Sequence, residues 1–162
     1  MFGVEMNRDV EVTLHRFTDY FRGFEKIEAV REIFGEETEK VLNNLKVEFY
    51  SSRRGYMGVS DQDGHILISA HYLKDGDERD LYLDIIHELV HVKQFLEGKE
   101  LFENRWEYVD RPTEIEAYRH AVKEARRLGM TDKEIYKYLK TEWMSEDDLK
   151  KLADAVGVKA PL

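Results

Sequence analysis

Two histidines with a glutamate beside them are the residues of this sequence best suited to chemistry. His87, Glu88 and His91 form an H-E-x-x-H pattern inside the apolar run 81–96, which we predict to be helical. On a helix, this spacing places both imidazoles on one face, with Glu88 about 100° round the axis from His87. The pattern offers two zinc ligands and a general base, but it arises by chance in roughly three of a hundred sequences of this composition. The rest of the chain must therefore supply a third ligand.

The helix that carries the pattern is predicted to begin within 77–80 and to end at Gly98, a residue suited to a left-handed cap. Apolar residues cover most of its circumference, which predicts a central, buried helix. A buried imidazole without a partner costs roughly 1–3 kcal/mol, so the two histidines need hydrogen bonds or a metal. Asp84 and Gln94, three residues before the first histidine and three after the second, are each placed to support an imidazole.

A second long helix is predicted over 112–129, because a proline suits its first turn and an apolar stripe follows. Glu114 and Glu116 are two residues apart and point to different faces, so we expect at most one of them to reach a metal. Thr113 and Glu116 also form a capping-box pattern, in which Glu116 would bind the backbone instead. Glu114 as the ligand is the lesser alternative.

The other segments complete an α+β fold in a single domain of 162 residues. Residues 1–45 are expected to be helical, and 46–129 to form a core with a small, mostly antiparallel sheet and the two long helices. Within that core, a strand is predicted at 65–71 after the turn at 61–64. Residues 130–162 are expected to be a helical appendage with two helix-start signals. The apolar positions that predict the N-terminal helices are Val10, Leu14, Phe17, Phe21 and Phe24.

Composition narrows the functional classes. A net charge of −9 argues against broad binding to nucleic acid or to anionic membranes. The absence of cysteine excludes disulfides, thiolate metal sites and thiol nucleophiles, so a metal must use histidine and carboxylate. No apolar span or signal-peptide core is evident, and we expect a cytoplasmic location. The charged content of 36% resembles that of heat-adapted proteins.

The H-E-x-x-H pattern and the downstream segment 111–118 together resemble the gluzincin metallopeptidases, and the small size resembles the minimal soluble minigluzincins. The resemblance covers about 81–126 and a strand that would match 65–71. It implies a zincin-like fold and a Zn²⁺ ion bound by both histidines and by a glutamate that precedes a small residue, a position that Glu116 matches. It also implies that Glu88 is the general base in hydrolysis of a peptide or protein substrate.

The same resemblance allows self-inhibition, because minigluzincins can occur in a latent form with a terminal segment over the active site. The C-terminal helices could cover the cleft, and the tail 158–162 is a candidate plug. A frayed end or a packing extension is the simpler interpretation of that tail.

Residues beyond the metal ligands are less closely specified. His120 lies one turn after Glu116, where thermolysin-like members carry a carboxylate, so His120 is a candidate to support or replace a ligand. The oxyanion donor that acyl transfer needs has four candidates. They are Tyr108, Arg111, Tyr118 and Arg119. Phe102, Trp106 and Tyr108 could line a specificity pocket, although aromatic residues in a loop more often anchor it.

Two other functions are consistent with the same residues. The chain could be a regulatory or structural domain that keeps the metal as a staple or has a blocked site. It could also be a helical interaction module in which the pattern is accidental. A coordination position open to water favours an enzyme, and a fourth protein ligand favours a staple. The sequence does not predict the substrate or the oligomeric state.

Overall fold

The computed structural model describes residues 2–161 and has an α+β architecture. The strands are β1 (Glu5–Met6), β2 (Leu14–Arg16), β3 (Phe21–Arg22), β4 (Lys46–Tyr50), β5 (Met57–Val59) and β6 (Ile66–Ser69). The helices are α1 (Phe17–Tyr20), α2 (Glu28–Phe34), α3 (Thr38–Asn44), α4 (Ala70–Asp75), α5 (Glu78–Leu96), α6 (Pro112–Arg127), α7 (Asp132–Leu139) and α8 (Glu146–Ala155). Short 3-10 turns lie at Phe24–Lys26, Gly35–Glu37 and Tyr108–Asp110. Within the described residues, every helix is too short or too polar for a membrane crossing.

Four strands form the main sheet in the order β2-β4-β6-β5. β2 and β5 pair antiparallel with their neighbours, whereas β4 and β6 are parallel, with Val47 opposite Ile66. The prediction of a mostly antiparallel sheet is therefore confirmed. The strand predicted at 65–71 is shorter than expected, because the Ser69 hydroxyl accepts a hydrogen bond from the Tyr72 amide and begins α4. β6 is an inner strand, and β2 and β5 are the two edges of this sheet.

The helix predicted across residues 10–24 is wrong. Leu14–Arg16 pairs with β4 as an outer strand of the sheet, and α1, β3 and a 3-10 turn follow it. Phe17, Phe21 and Phe24 are nevertheless fully buried, and the rings of the first two stack with centroids 4.9 Å apart. The spacing of these residues therefore predicted correctly that they are buried. The backbone conformation of the segment was decided by its pairing with β4, which lies outside the segment. The later helices α2 and α3 agree with the predicted N-terminal helical region.

α5 is the central helix of the fold, and its boundaries match the prediction. The Asp77 side chain accepts a hydrogen bond of 3.0 Å from the Asp80 amide and caps the N-terminus. Gly98 follows the C-terminus with a φ of +80°, a conformation that favours glycine. α6 begins at Pro112 as predicted and packs closely against α5. These two helices bring the candidate ligands together.

The C-terminal helices pack over one side of the α5–α6 pair. Both predicted helix-start signals are present: Thr131 and Glu134 form a capping box at α7, and Ser145 caps α8. α8 lies against the 3-10 turn that precedes α6. The tail continues into the fold, where Val158 is buried and the Lys159 amide donates to Asp132 Oδ2 at 2.8 Å. Residues 158–161 are therefore a packing extension and not a plug, and residue 162 lies outside the described part of the chain.

Candidate metal centre

Three ligand atoms from α5 and α6 form a small, buried triangle. His87 Nε2 and His91 Nε2 are 3.2 Å apart, and each lies 3.0 Å from Glu114 Oε1. All three side chains are between 7% and 8% exposed. The predicted face of α5 is therefore confirmed, since the two imidazoles point to one place. The third member of the triangle comes from the first turn of α6.

Glu116, the glutamate predicted as the third ligand, does not face the histidines. Its side chain is 44% exposed and accepts a hydrogen bond of 2.7 Å from Gln94 Nε2, with Lys99 Nζ 3.9 Å away. Two residues along a helix differ by about 200° round the axis, so only one of the two glutamates can point at α5. The packing of α6 on α5 selects Glu114.

The alternative capping role of Glu116 is not formed either. The N-cap position of α6 is Arg111, and no side chain bonds to the open amides there. The Thr113 hydroxyl instead donates to the Leu101 carbonyl at 3.2 Å. Pro112, at the first position of α6, has no N–H group, so this end of the helix has one open amide fewer.

Gln94 orients the second histidine. Its Nε2 donates to the Thr113 carbonyl at 3.0 Å and to Glu116, which leaves Oε1 to accept from His91 Nδ1 at 2.7 Å. This bond fixes a proton on Nδ1, so Nε2 faces the triangle and offers its lone pair to a metal once it is deprotonated. The predicted supporting role of Gln94 is thus consistent with its position. Glu116 therefore helps to orient Gln94 by accepting its hydrogen bond, and it is not placed as a ligand.

Asp84 does not support His87 as the sequence suggested. Its carboxylate accepts hydrogen bonds from the hydroxyls of Tyr72 and Tyr138, the second at 2.7 Å. His87 Nδ1 is buried and makes no hydrogen bond within the described residues. No protein group therefore sets the tautomer of this imidazole. Its polar contacts are made by Nε2, which lies near Glu114 Oε1 and His91 Nε2.

The charges of the triangle are strongly coupled. Burial would raise the pKa of Glu114, but its hydrogen bonds to both histidines hold that pKa well below the usual range. Burial lowers the pKa of His91, yet the bond to Glu114 and the charge of Glu88 outweigh this and raise it to about 9. Burial also raises the pKa of Glu88. Two carboxylates thus surround one imidazole pair, a charge pattern that a divalent cation would satisfy.

The donor set fits zinc in both chemistry and size. Two imidazoles and one carboxylate are a known catalytic zinc set, and bonds of about 2.0–2.2 Å in a tetrahedron place ligand atoms roughly 3.3 Å apart. The separations of 3.0–3.2 Å between Nε2 and Oε1 atoms are close to that value. Glu88 offers a carboxylate oxygen within 4.8 Å of the ligand atoms of His87 and His91. His87, Glu88 and His91 therefore also form a buried group that could hold a metal ion.

A cavity of about 580 Å³ opens beside the triangle, and we call it the site cavity. Glu88 and His87 lie in its wall, and six aromatic side chains surround them. These are Tyr56, Tyr72, Tyr108, Tyr118, Tyr138 and Trp143. Tyr118 packs against the His87 ring with centroids 4.3 Å apart, and its hydroxyl lies 2.7 Å from the Tyr108 hydroxyl. Burial raises the pKa of both phenols, which therefore stay protonated and able to donate.

Several residues singled out in the sequence lie away from the site cavity. Arg119 is exposed and donates to the Ala155 carbonyl at 3.2 Å. His120 is half-buried outside the cavity, where burial lowers its pKa and the nearby charges include Glu116 and Glu32. Phe102 and Trp106 are 46% and 40% exposed, so of the three loop aromatic residues only Tyr108 lines the cavity.

The sequence analysis missed the tyrosines and the tryptophan that reach the cavity from distant segments. Tyr138 comes from α7, Tyr72 from α4, and Trp143 from the loop after α7. An amphipathic stripe on α7 could have indicated that Tyr138 is partly buried, but no local pattern identifies its partner. Comparisons with protein-family models, curated proteins and solved structures return no match for this chain.

Proposed function

We propose that this chain is a zinc-dependent peptidase with a zincin-like fold of the gluzincin type. His87, His91 and Glu114 would hold the ion. The observation that carries the proposal is the buried triangle of two Nε2 atoms and one Oε1 atom, with Glu88 beside it in the wall of a cavity. Glu114 is followed by Ile115, so the ligand position departs from the gluzincin pattern of a glutamate before a small residue.

The chain's own residues suit hydrolysis by an activated water. Zinc, when bound, would polarise the scissile carbonyl and make the attacking water more acidic. Glu88 would accept the proton of that water on its carboxylate and later pass it to the leaving amine. The raised pKa of Glu88 favours such a shuttle, because a carboxyl group that titrates closer to neutral pH can both take and return a proton.

The paired tyrosines are the best-placed donors for the negative charge that develops on the carbonyl oxygen. Tyr118 lies against His87, and the Tyr108 hydroxyl is hydrogen-bonded to the Tyr118 hydroxyl. A protonated phenol that reaches the carbonyl oxygen is an effective oxyanion donor. Of the four donor candidates in the sequence, Arg119 lies outside the site cavity, where it bonds to the Ala155 carbonyl, whereas both tyrosines line the cavity.

The sheet edge can position an extended peptide. β5 pairs with β6 on one side and with no other strand among residues 2–161. Met57, in this strand, lines the site cavity. A substrate segment added to this edge would gain backbone hydrogen bonds and pass beside Glu88. β6 is an inner strand, so β5 and not β6 offers this edge beside the cavity.

A latent state of the same enzyme has a specific observation in its favour. Residues 137–143, at the end of α7 and beyond, form part of the cavity wall. The Trp143 ring lies 6.1 Å from that of Tyr56 and 5.9 Å from that of Tyr108, measured between centroids, so it packs near both. We propose that this segment narrows access to Glu88 in the latent state and shifts when a long substrate enters.

The Glu88→Gln variant tests the peptidase against the metal staple. We expect it to bind one zinc per chain, as the parent does, and to lose hydrolysis by about 10²–10⁴-fold, since the amide cannot take the proton. Zinc is measured by mass spectrometry of metal content in untagged protein, and hydrolysis by the cut products of a mixture of unstructured peptides. Loss of zinc in this variant would make Glu88 a fourth ligand and support the staple. Parental hydrolysis would refute the mechanism.

A further inference from the structure

Asp84 is a charged group of the site cavity that the proposed mechanism does not use. It lies on α5 one turn before Glu88, and both residues line the same cavity. Its side chain is partly accessible there. The hydroxyls of Tyr72 and Tyr138 donate to its carboxylate. Both donors are neutral, so the hydrogen bonds hold the carboxylate in place without cancelling its charge.

No lysine, arginine or histidine of residues 2–161 forms a salt bridge with this carboxylate, although the charge of His87 acts on it from a longer distance. None of the Lys, Arg or His nitrogens of residues 2–161 lies within 4.0 Å of it. Three lysines and arginines lie in the cavity wall. Arg79 pairs with Glu134 at 3.4 Å and Lys140 with Glu146 at 3.6 Å. Lys137 is beyond salt-bridge distance of Asp84, and its charge acts on Asp80. A sequestered charge without a counter-charge is costly to maintain. It is therefore a candidate for recognition of a cation from outside.

The surroundings of Asp84 suit an organic cation in particular. Tyr72 and Tyr138, which hold the carboxylate, also present aromatic rings to the cavity. Tyr56 continues this surface, with its ring centroid 5.1 Å from that of Tyr72 and 6.1 Å from that of Trp143. Guanidinium and ammonium groups are attracted to aromatic faces, and a carboxylate at the end of such a surface adds a directed, charge-assisted bond.

We propose that the site cavity binds the side chain of an arginine or lysine, with Asp84 as its counter-charge. Because Asp84 lies one turn from Glu88, the bound residue would be next to the scissile bond. If the chain is the peptidase proposed above, its substrates are peptides with a basic residue at that position. Burial raises the pKa of Asp84 to about 6, so the carboxylate is still ionised at neutral pH.

Matched peptides that differ only in charge test this proposal on the zinc-loaded full chain. One peptide carries arginine and the other citrulline, which has nearly the same shape but no charge. We expect the arginine peptide to be cleaved with a kcat/KM about 10–100-fold higher, the range expected for one charge-assisted hydrogen bond. In Asp84→Asn this preference should disappear, whereas Asp80→Asn, at another acid of the same wall, should largely keep it. Equal cleavage of both peptides by the parent chain would overturn the proposal.

A binding measurement separates this inference from the proposed activity. Nα-acetyl-arginine amide and Nα-acetyl-citrulline amide are titrated into the zinc-loaded chain and followed by NMR. An arginine preference that depends on Asp84, without hydrolysis of any peptide, would sustain the cationic site and refute the peptidase. Hydrolysis with no preference in either assay would do the reverse.

The opposing interpretation is that Asp84 only fastens α7 to the active-site helix through Tyr138. The Tyr138→Phe variant distinguishes the two, since it removes the fastening bond and keeps the charge. We expect it to retain the arginine preference. Loss of the preference to the same extent as in Asp84→Asn would show that the bond, and not the charge, matters.

Discussion

Helix α5 lies between two hollows of similar size and opposite character. The site cavity, of about 580 Å³, lies beside its N-terminal and middle turns, and a second hollow of about 530 Å³ lies at its C-terminal end. We call the second one the apolar groove. Its apolar wall consists of Ile33, Phe34, Val41, Leu45, Val92, Phe95 and Leu96. The charged residues around the apolar groove are mostly exposed, whereas those of the site cavity include buried Glu88 and His87.

The difference shows that size alone does not identify a reactive site. Exposed charges at the rim of the apolar groove are solvated and cost little, as any surface charge does. The two carboxylates and two imidazoles of the candidate metal centre are buried, and such a group is stable only if its members neutralise one another or bind an ion. A reactive site is therefore expected at the candidate metal centre, where charged side chains are buried, and not in the apolar groove.

The strongest test of this comparison replaces each of the two glutamates of α6 by glutamine in a separate variant. We expect Glu114→Gln to lower the zinc affinity by more than about 100-fold, because a charged ligand is replaced by a weak one. Removal of a residue that only supports a ligand lowers metal affinity by about 10–100-fold. Glu116→Gln should stay within a few-fold of the parent, since an amide oxygen can still accept from Gln94. Zinc affinity is measured by competition with a chelating dye. Equal losses in the two variants would contradict the assignment of the third ligand.

A smaller effect should appear in the pH dependence of the metal-free chain. The pKa of His91 is about 9 in the folded chain, above about 6.5 for an unfolded histidine. The protonated form therefore stabilises the fold below about pH 6.5, and this stabilisation is lost as pH rises through about 9. We expect the Tm in chelator to fall between pH 7 and pH 9, and zinc binding at pH 8 to release about one proton. Thermal scans and calorimetry in buffers of different ionisation enthalpy measure the two effects.

The Glu114→Gln variant is the matched control for that pH dependence. It lacks the carboxylate that bonds to both histidines, so its Tm should change less between pH 7 and pH 9. A fall as large as that of the parent would mean that groups outside the metal centre cause it.

The smallest effect is expected in the apolar groove. Leu96 is 60% exposed there, and Leu96→Gln should change the free energy of unfolding by no more than about 0.5 kcal/mol. Zinc affinity and hydrolysis should stay at the parental level. Reduced zinc binding in this variant would show that the two hollows are coupled along α5, and the contrast between them would fail.

Local rules predicted the elements around the site with good accuracy. The Asp77 cap, the start of α6 at Pro112 and the Thr131 capping box depend on neighbouring residues, and all three are present. The segment before α2 was mispredicted, because Leu14–Arg16 pairs with β4, about thirty residues further along the chain. An apolar spacing of three to four residues records which side chains are buried, but it does not record strand partners.

The sequence by itself determined the chemistry of α5. Helical periodicity is a property of the backbone, so residues 87 and 91 had to share a face, with Glu88 beside them. The choice between Glu114 and Glu116 was decided only by tertiary structure, because the rotation of α6 about its axis follows from its packing against α5. Tertiary structure also placed Asp84 between Tyr72 of α4 and Tyr138 of α7, two segments that no local pattern connects.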